Sequence, residues 1–157
     1  MTIAGTGSRK LVMNQLMMGM VIEKMCQLLK KAPDGLCLIS GMAEGFDEAL
    51  ARAAIIEKIP FIAAVPHRDY GRYYWGCNSL LRKDRLREFE WLCGQAAEVH
   101  VICKSLYVGG QHANFVRNEW MVDNSDKMWA YNKTSTGTKH CVEYARSKGK
   151  RIFEVTL

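Results

Sequence analysis

Proline is scarce in this chain, three residues in 157, so the breaks it imposes are few and fall at positions 33, 60 and 66. Long apolar runs are missing too. The longest clean one, Phe61 to Val65, is far too short to cross a bilayer, and the first residues lack a charged stretch followed by an apolar one. A cytoplasmic protein with no membrane partner is expected. The cysteines, at 26, 37, 77, 93, 103 and 141, include no two at metal-hairpin spacing, which leaves reduced, mostly buried thiols. His67, His112 and His140 also lack ligand spacing, so neither a metal nor a cofactor is expected. There is no internal repeat, linker or low-complexity segment. A length of 157 residues suits one well-buried core and is short for two, so residues 1–157 are read as a single domain.

Acidic residues are in deficit, 16 against 22 Lys and Arg, and the resulting charge of +6 favours anionic partners. Most of the excess lies between His67 and Arg87, where Arg68, Arg72, Arg82, Lys83, Arg85 and Arg87 face only Asp69 and Asp84. Tyr70, Tyr73, Tyr74 and Trp75 are interleaved with them. That combination suits stacking on bases while pairing with phosphates, or a flap packed over the domain beside a solvated basic helix.

What the chain does contain is alternation. MTIAGT, LCLIS, FIAAV, AEVHVIC, KMWAY and RIFEV read as buried strands, and helical spacing separates them over 11–31, 46–58, 78–94, 113–124 and 138–148. In the first helix Met13, Met17, Met20, Val21, Met25 and Leu28 share a face, as core or as a partner surface. Such alternation predicts a Rossmann-like three-layer α/β sandwich, a mostly parallel sheet flanked by helices. Ligands of such sheets bind beyond the carboxyl ends of the strands.

Four unusual loops fall at that edge: residues 5–9, 40–45, 67–75 and 133–138. Three combine glycine with hydroxyls just before a helix, which can present N–H groups and a positive helix end to a phosphate, or merely turn and cap the chain. The candidate binding residues are Thr6, Gly7, Ser8, Arg9, Ser40, Gly41, Met42, Ala43, Asp47, Arg117, Ser135, Thr136, Gly137 and Thr138. Standard fingerprints fail: GTGSRK has Lys10 where G-x-G-x-x-G needs its third glycine, the second strand ends in Ser40 rather than an acid, and no G-x-x-x-x-G-K-[ST] occurs.

The stretches SGMAEGFDEALARAAI and IPFIAAVPHRDYGRYY resemble the nucleotide-binding core of the DprA family, and RNEWMVDNSDKMWAYNKTSTGTKHCVEYARSKGKRI resembles the YpsA-like proteins. Both belong to the SLOG superfamily, with the lonely guy phosphoribohydrolases. The resemblance implies a nucleotide or nucleotide-derived ligand, such as a mononucleotide, cyclic nucleotide or ADP-ribose type, that is sensed or sequestered. It also implies two alternatives, hydrolysis or transfer at the N-glycosidic bond of a nucleoside monophosphate, and DprA-like binding of single-stranded nucleic acid through residues 67–87. Self-association into a homo-oligomer is a further implication. Arg117 is similar to the arginine of the lonely guy R-K-x-x-M stretch, and Gly137-Thr138 to its P-G-G-x-G-T-x-E-E loop. His140 and Cys141 stand at the two glutamate positions, and Glu44, Asp47, Asp123 and Asp126 are the carboxylates that could substitute.

Overall fold

The computed structural model describes residues 1–76, 80–104 and 111–157. Six strands, β1 (Thr2–Gly7), β2 (Cys37–Ser40), β3 (Phe61–His67), β4 (Glu98–Cys103), β5 (Lys127–Tyr131) and β6 (Arg151–Glu154), form one sheet in the order β4-β3-β2-β1-β5-β6. Every neighbouring pair is parallel, so the expected mostly parallel sheet is parallel throughout. The helices α1 (Gln15–Leu29), α2 (Phe46–Ile56), α3 (Tyr70–Tyr74), α4 (Arg82–Gln95), α5 (Gln111–Asp123) and α6 (Thr136–Ser147) make the connections.

Side-chain alternation along each strand divides the core in two. Ile3, Leu38, Phe61, Ala63, Val65 and Trp129 pack towards α1, α2 and α4 in the larger cluster. Their neighbours Ala4, Ile39, Ala64 and Met128 pack towards α5 and α6 in the smaller. The chain starts at the middle of the sheet, winds outward to β4, then crosses back to lay β5 beside β1. Helices before and after that reversal therefore cover opposite faces, as crossovers of one hand require.

Close approach of α2 to β1 depends on a missing side chain. A Cβ at Gly7 would lie 2.6 Å from Phe46 Cγ, whose ring is buried and stacks on Tyr131 at 5.6 Å.

Three expectations change here. The first helix does not run from Leu11: Asn14 accepts a hydrogen bond from the Met17 N–H at 3.0 Å and starts α1 itself, leaving Arg9–Met13 as a separate 3₁₀ turn capped by Ser8. Consequently the inward row is Val21, Met25 and Leu29 with Cys26, whereas Met13 and Met20 are exposed. Residues 67–75 are no simple loop, because Tyr70–Tyr74 wind as α3. Of the described cysteines all are free, but only Cys26 and Cys141 are buried. Cys77 and the Gly109-Gly110 stretch lie outside the described residues. Among those residues no helix is long and apolar enough to cross a membrane.

Gly7→Ala should lower the unfolding free energy by about 1–3 kcal/mol through overpacking against Phe46. Gly19→Ala, where an added Cβ meets nothing within 4 Å inside α1, should raise it by about 0.5–1 kcal/mol. Urea titrations of both variants check the pair; equal midpoints would mean the strand and helix are not that close.

Candidate functional site

The reversal of strand order between β1 and β5 places two strand ends side by side, with Thr6 opposite Ala130 and Gly7 opposite Tyr131. Ser8 continues the pairing by donating its N–H to the Tyr131 carbonyl at 3.2 Å. Beyond these ends opens a crevice of about 510 Å³. This is a ligand-sized volume at the position where sheets of this topology bind ligands. Its wall draws on the β1 turn (Thr6 to Lys10), the β2–α2 loop and first turn of α2 (Ala43, Asp47), α5, and the β5–α6 loop with the first turn of α6 (Thr134, Ser135, Gly137, Thr138).

Two adjacent side chains of α5 hold these loops together. Buried Arg117 donates Nη1–H to the Gly41 carbonyl and Nε–H to Asn118 Oδ1 at 2.9 Å, and lies 3.9 Å from Asp47 Oδ2. Asn118 in turn donates Nδ2–H to the Gly137 carbonyl at 3.0 Å. One helix thus fixes the β2–α2 loop and the β5–α6 loop in a common frame.

The β2–α2 loop satisfies its own polar groups. Ser40 Oγ donates to the Asp47 carbonyl at 2.8 Å and accepts from the Met42 N–H at 3.2 Å, and Met42 gives its carbonyl to the Trp75 indole N–H at 2.8 Å. Gly45 has φ +92°, and a Cβ there would lie 2.7 Å from Arg9 Cα, so glycine lets this loop seat on the β1 turn. Phe46 N–H donates to the Ser8 carbonyl at 3.2 Å across the same contact. Ser40, Gly41, Met42 and Thr136 therefore stay out of the crevice wall, while the other ten candidates line it.

The charge of the wall is uneven. Asp47 is its only carboxylate among the described residues, and burial pushes its carboxyl above the ordinary range, opposed by the nearby Arg117 charge and the Ala43 N–H. Arg9 and Lys10 make no ion pair among the described residues, and Arg9 reaches only the Tyr70 hydroxyl, at 3.3 Å. Ser135 caps α6 by accepting the Thr138 N–H at 3.3 Å, and its hydroxyl lies 2.7 Å from that of Thr138. The remaining first N–H groups of α6 have no intrahelical partner, and space is open beside Gly137.

Beyond the candidates the wall includes Lys10, Tyr74, Gln111, Asn114, Phe115, Asn118 and Thr134, of which Tyr74 and Thr134 lie in loops expected at this edge. Lys10, Asn118 and Thr134 each adjoin a named candidate, so proximity alone could have found these three. At the two expected glutamate positions, His140 stacks on Phe115 at 4.1 Å with Nε2 3.4 Å from Glu119, and Cys141 is fully buried with its thiol pushed up to about 12, chiefly by burial. Neither supplies a carboxylate. Of the four substitutes, Glu44 is paired with Arg85, Asp123 accepts from Tyr144 and Asp126 from the Thr2 N–H, so Asp47 alone faces the crevice.

The basic segment is also partly consumed. Tyr70 and Trp75 are buried, Arg85 lies over the Trp75 ring at 4.7 Å among glutamates, and Arg82 donates to the Arg72 carbonyl at 2.7 Å. Tyr73 remains exposed, and Tyr74 turns into the crevice. A second concavity of about 700 Å³ lies between α1 and α4, but Glu44 and Glu48 in its wall are already held by Arg85 and Arg52.

A fully parallel doubly wound sheet with its crevice at the strand reversal defines a Rossmann-like domain. The chain shares the fold of the DprA Rossmann domains. It superposes on DNA processing protein A from Streptococcus pneumoniae with a TM-score of 0.72 at 21% identity, covering 99% of this chain and 50% of that one. The corresponding Helicobacter pylori protein gives 0.72 at 15% identity, over 100% of this chain and 66% of that one. TM1055 gives 0.61 at 12% identity, over 96% and 71%. The chain thus spans about half the length of the pneumococcal protein. No family model and no curated protein matches the sequence.

Because the Asp47 carboxyl is raised above its ordinary 3.8, the folded state binds more protons than the unfolded state across the intervening pH window. Its contribution to stability is full below 3.8 and is lost as pH rises through the folded value. The stability of Asp47→Asn relative to the parent should therefore climb between pH 4 and pH 8, read from urea midpoints; a difference independent of pH contradicts the shift.

Proposed function

We propose that the crevice binds a nucleotide or nucleotide-derived anion, as a sensing or sequestering domain. The observation that carries this reading is the pairing pattern of the wall. Among the described residues its one carboxylate is held between Arg117 and a backbone N–H, while Arg9, Lys10 and the start of α6 face the same space without ion-pair partners. The phosphate belongs at that end. Tyr74 and Phe115, further along the wall, offer apolar faces to a base or ribose. The likeness in fold to the DprA domains supports a ligand at this edge.

Binding is favoured over N-glycosidic cleavage. Forming a cationic sugar calls for a carboxylate beside it and a second group to activate water or the leaving base, and the crevice holds Asp47 alone. The single-stranded DNA reading draws on the Helicobacter pylori relative, whose structure concerns its single-stranded DNA binding mode. Against it, Tyr70, Trp75 and Arg85 of the basic segment are engaged in packing and Arg87 lies 3.8 Å from Asp84, which leaves Arg68, Arg72 and Lys83 for such contacts.

Calorimetry with ribose 5-phosphate, the mononucleotides, cyclic nucleotides and ADP-ribose should find at least one that binds and emerges chemically unchanged. Arg9→Ala should weaken it about 10- to 100-fold, the worth of a hydrogen bond to a charged group, with little effect on stability because Arg9 is exposed. No heat from any of them at millimolar concentration defeats the reading. Tighter binding of a labelled oligonucleotide, falling steeply with salt, would favour the nucleic-acid alternative.

A further inference from the structure

The β2–α2 loop is gripped on the side away from the crevice by a cluster of charges that the site itself does not use. Arg85, on α4, donates Nε–H to Glu44 at 3.0 Å and Nη2–H to Glu48 at 2.7 Å, and pairs with Glu88 through Nη1. Its side chain is 15% exposed, and that of Glu48 is 3% exposed. Glu44 also accepts the Gly76 N–H at 2.9 Å, and the Trp75 ring beneath the guanidinium donates to the Met42 carbonyl. Glu44 and Met42 flank Ala43, which lines the crevice and donates its N–H to Asp47 at 3.4 Å.

The loop needs such a grip. Met42, which is not a glycine, has φ 56°, a backbone state that persists only where the surroundings fix it. We infer that Arg85 is a positioning residue: through Glu44 and Trp75 it holds residues 42–45 in the shape that aims Ala43 and Asp47 into the crevice. The inference rests on the crevice being the binding site, but its mechanical part stands on the loop alone. Removing Arg85 affects its two carboxylates differently. Among the described residues Glu48 keeps two hydrogen bonds from Arg52, at 3.0 and 2.9 Å, whereas Glu44 keeps the Gly76 N–H alone. The effect of the loss therefore concentrates at the loop.

The test is hydrogen exchange at the Met42, Ala43 and Phe46 amides in the parent, Arg85→Met and Arg85→Lys, with Ile39 and Ala63 in the strands as references. Arg85→Met should speed loop exchange by about tenfold or more while the strand amides hold their rates, and Arg85→Lys should fall between. Affinity for whichever nucleotide the parent binds should drop about fivefold or more in parallel. Uniform acceleration of strand and loop amides, or unchanged loop exchange, overturns the inference. If the parent binds nothing, the ligand reading fails and the exchange result still decides the mechanical claim. Should Arg85→Met not fold, Glu44→Gln, which weakens the same link without stranding a guanidinium, must show the same loop-confined acceleration or the inference is wrong.

Discussion

Arg117 and Asn118 are the pair on which the site depends. The sheet brings the ends of β1, β2 and β5 to one edge, but it does not set the paths of the loops that leave them. Arg117 does so for the β2–α2 loop by bonding the Gly41 carbonyl beside Asp47, and Asn118 for the β5–α6 loop through the Gly137 carbonyl. A buried guanidinium is tolerated only where its donors are met, and here a carbonyl, an amide oxygen and a nearby carboxylate meet them. The resemblance implies that Arg117 is a ligand contact. Its geometry makes it a wall residue with two of its nitrogens already engaged, which leaves Arg9 and Lys10 as the wall cations without an ion pair among the described residues.

Charge in the rest of the chain follows a similar division. The segment from His67 to Arg87 holds most of the positive excess, yet Arg85 turns inward to glutamates and Arg82 to a backbone carbonyl. A surplus counted along the sequence therefore overstates what the surface offers to a polyanion. Arg9 and Lys10 contribute less to that count and more to the crevice, because the 3₁₀ turn that carries them has no acidic side chain in its first turn.

The central strands were legible because burial on both faces writes continuous apolar runs, whereas β4 and β6, at the sheet edges, are partly exposed; the helices were legible because their apolar residues recur about every fourth position. The loops at the carboxyl edge followed from topology alone. Two things were not legible. The boundary at Asn14 depends on a single capping hydrogen bond, which composition around Leu11 to Met13 outweighs in any window average. The roles within the loops depend on orientation: Ser40 and Ser135 are both hydroxyls beside a helix start, but one bonds back into its own loop while the other lines the crevice. Phe115, Asn114 and Gln111 escaped notice because they follow the Gly109-Gly110 stretch on a helix whose charged and apolar residues show no contrast to mark a binding face.

His140 and Cys141 show how one fold edge can change chemistry without changing shape. The α6 start keeps its glycine, its threonine and its serine cap, so the positive helix end is retained. The next turn places an imidazole against Phe115 and a thiol that burial keeps protonated, where ionised carboxylates would stand in a hydrolase of the resembled type. Under the binding reading proposed above, an edge with a positive helix end and without the acid pair would lower the free energy of a bound phosphate ester. It has little with which to stabilise the positive charge that develops on a departing sugar, and that asymmetry between ground state and transition state is what separates a binder from a catalyst.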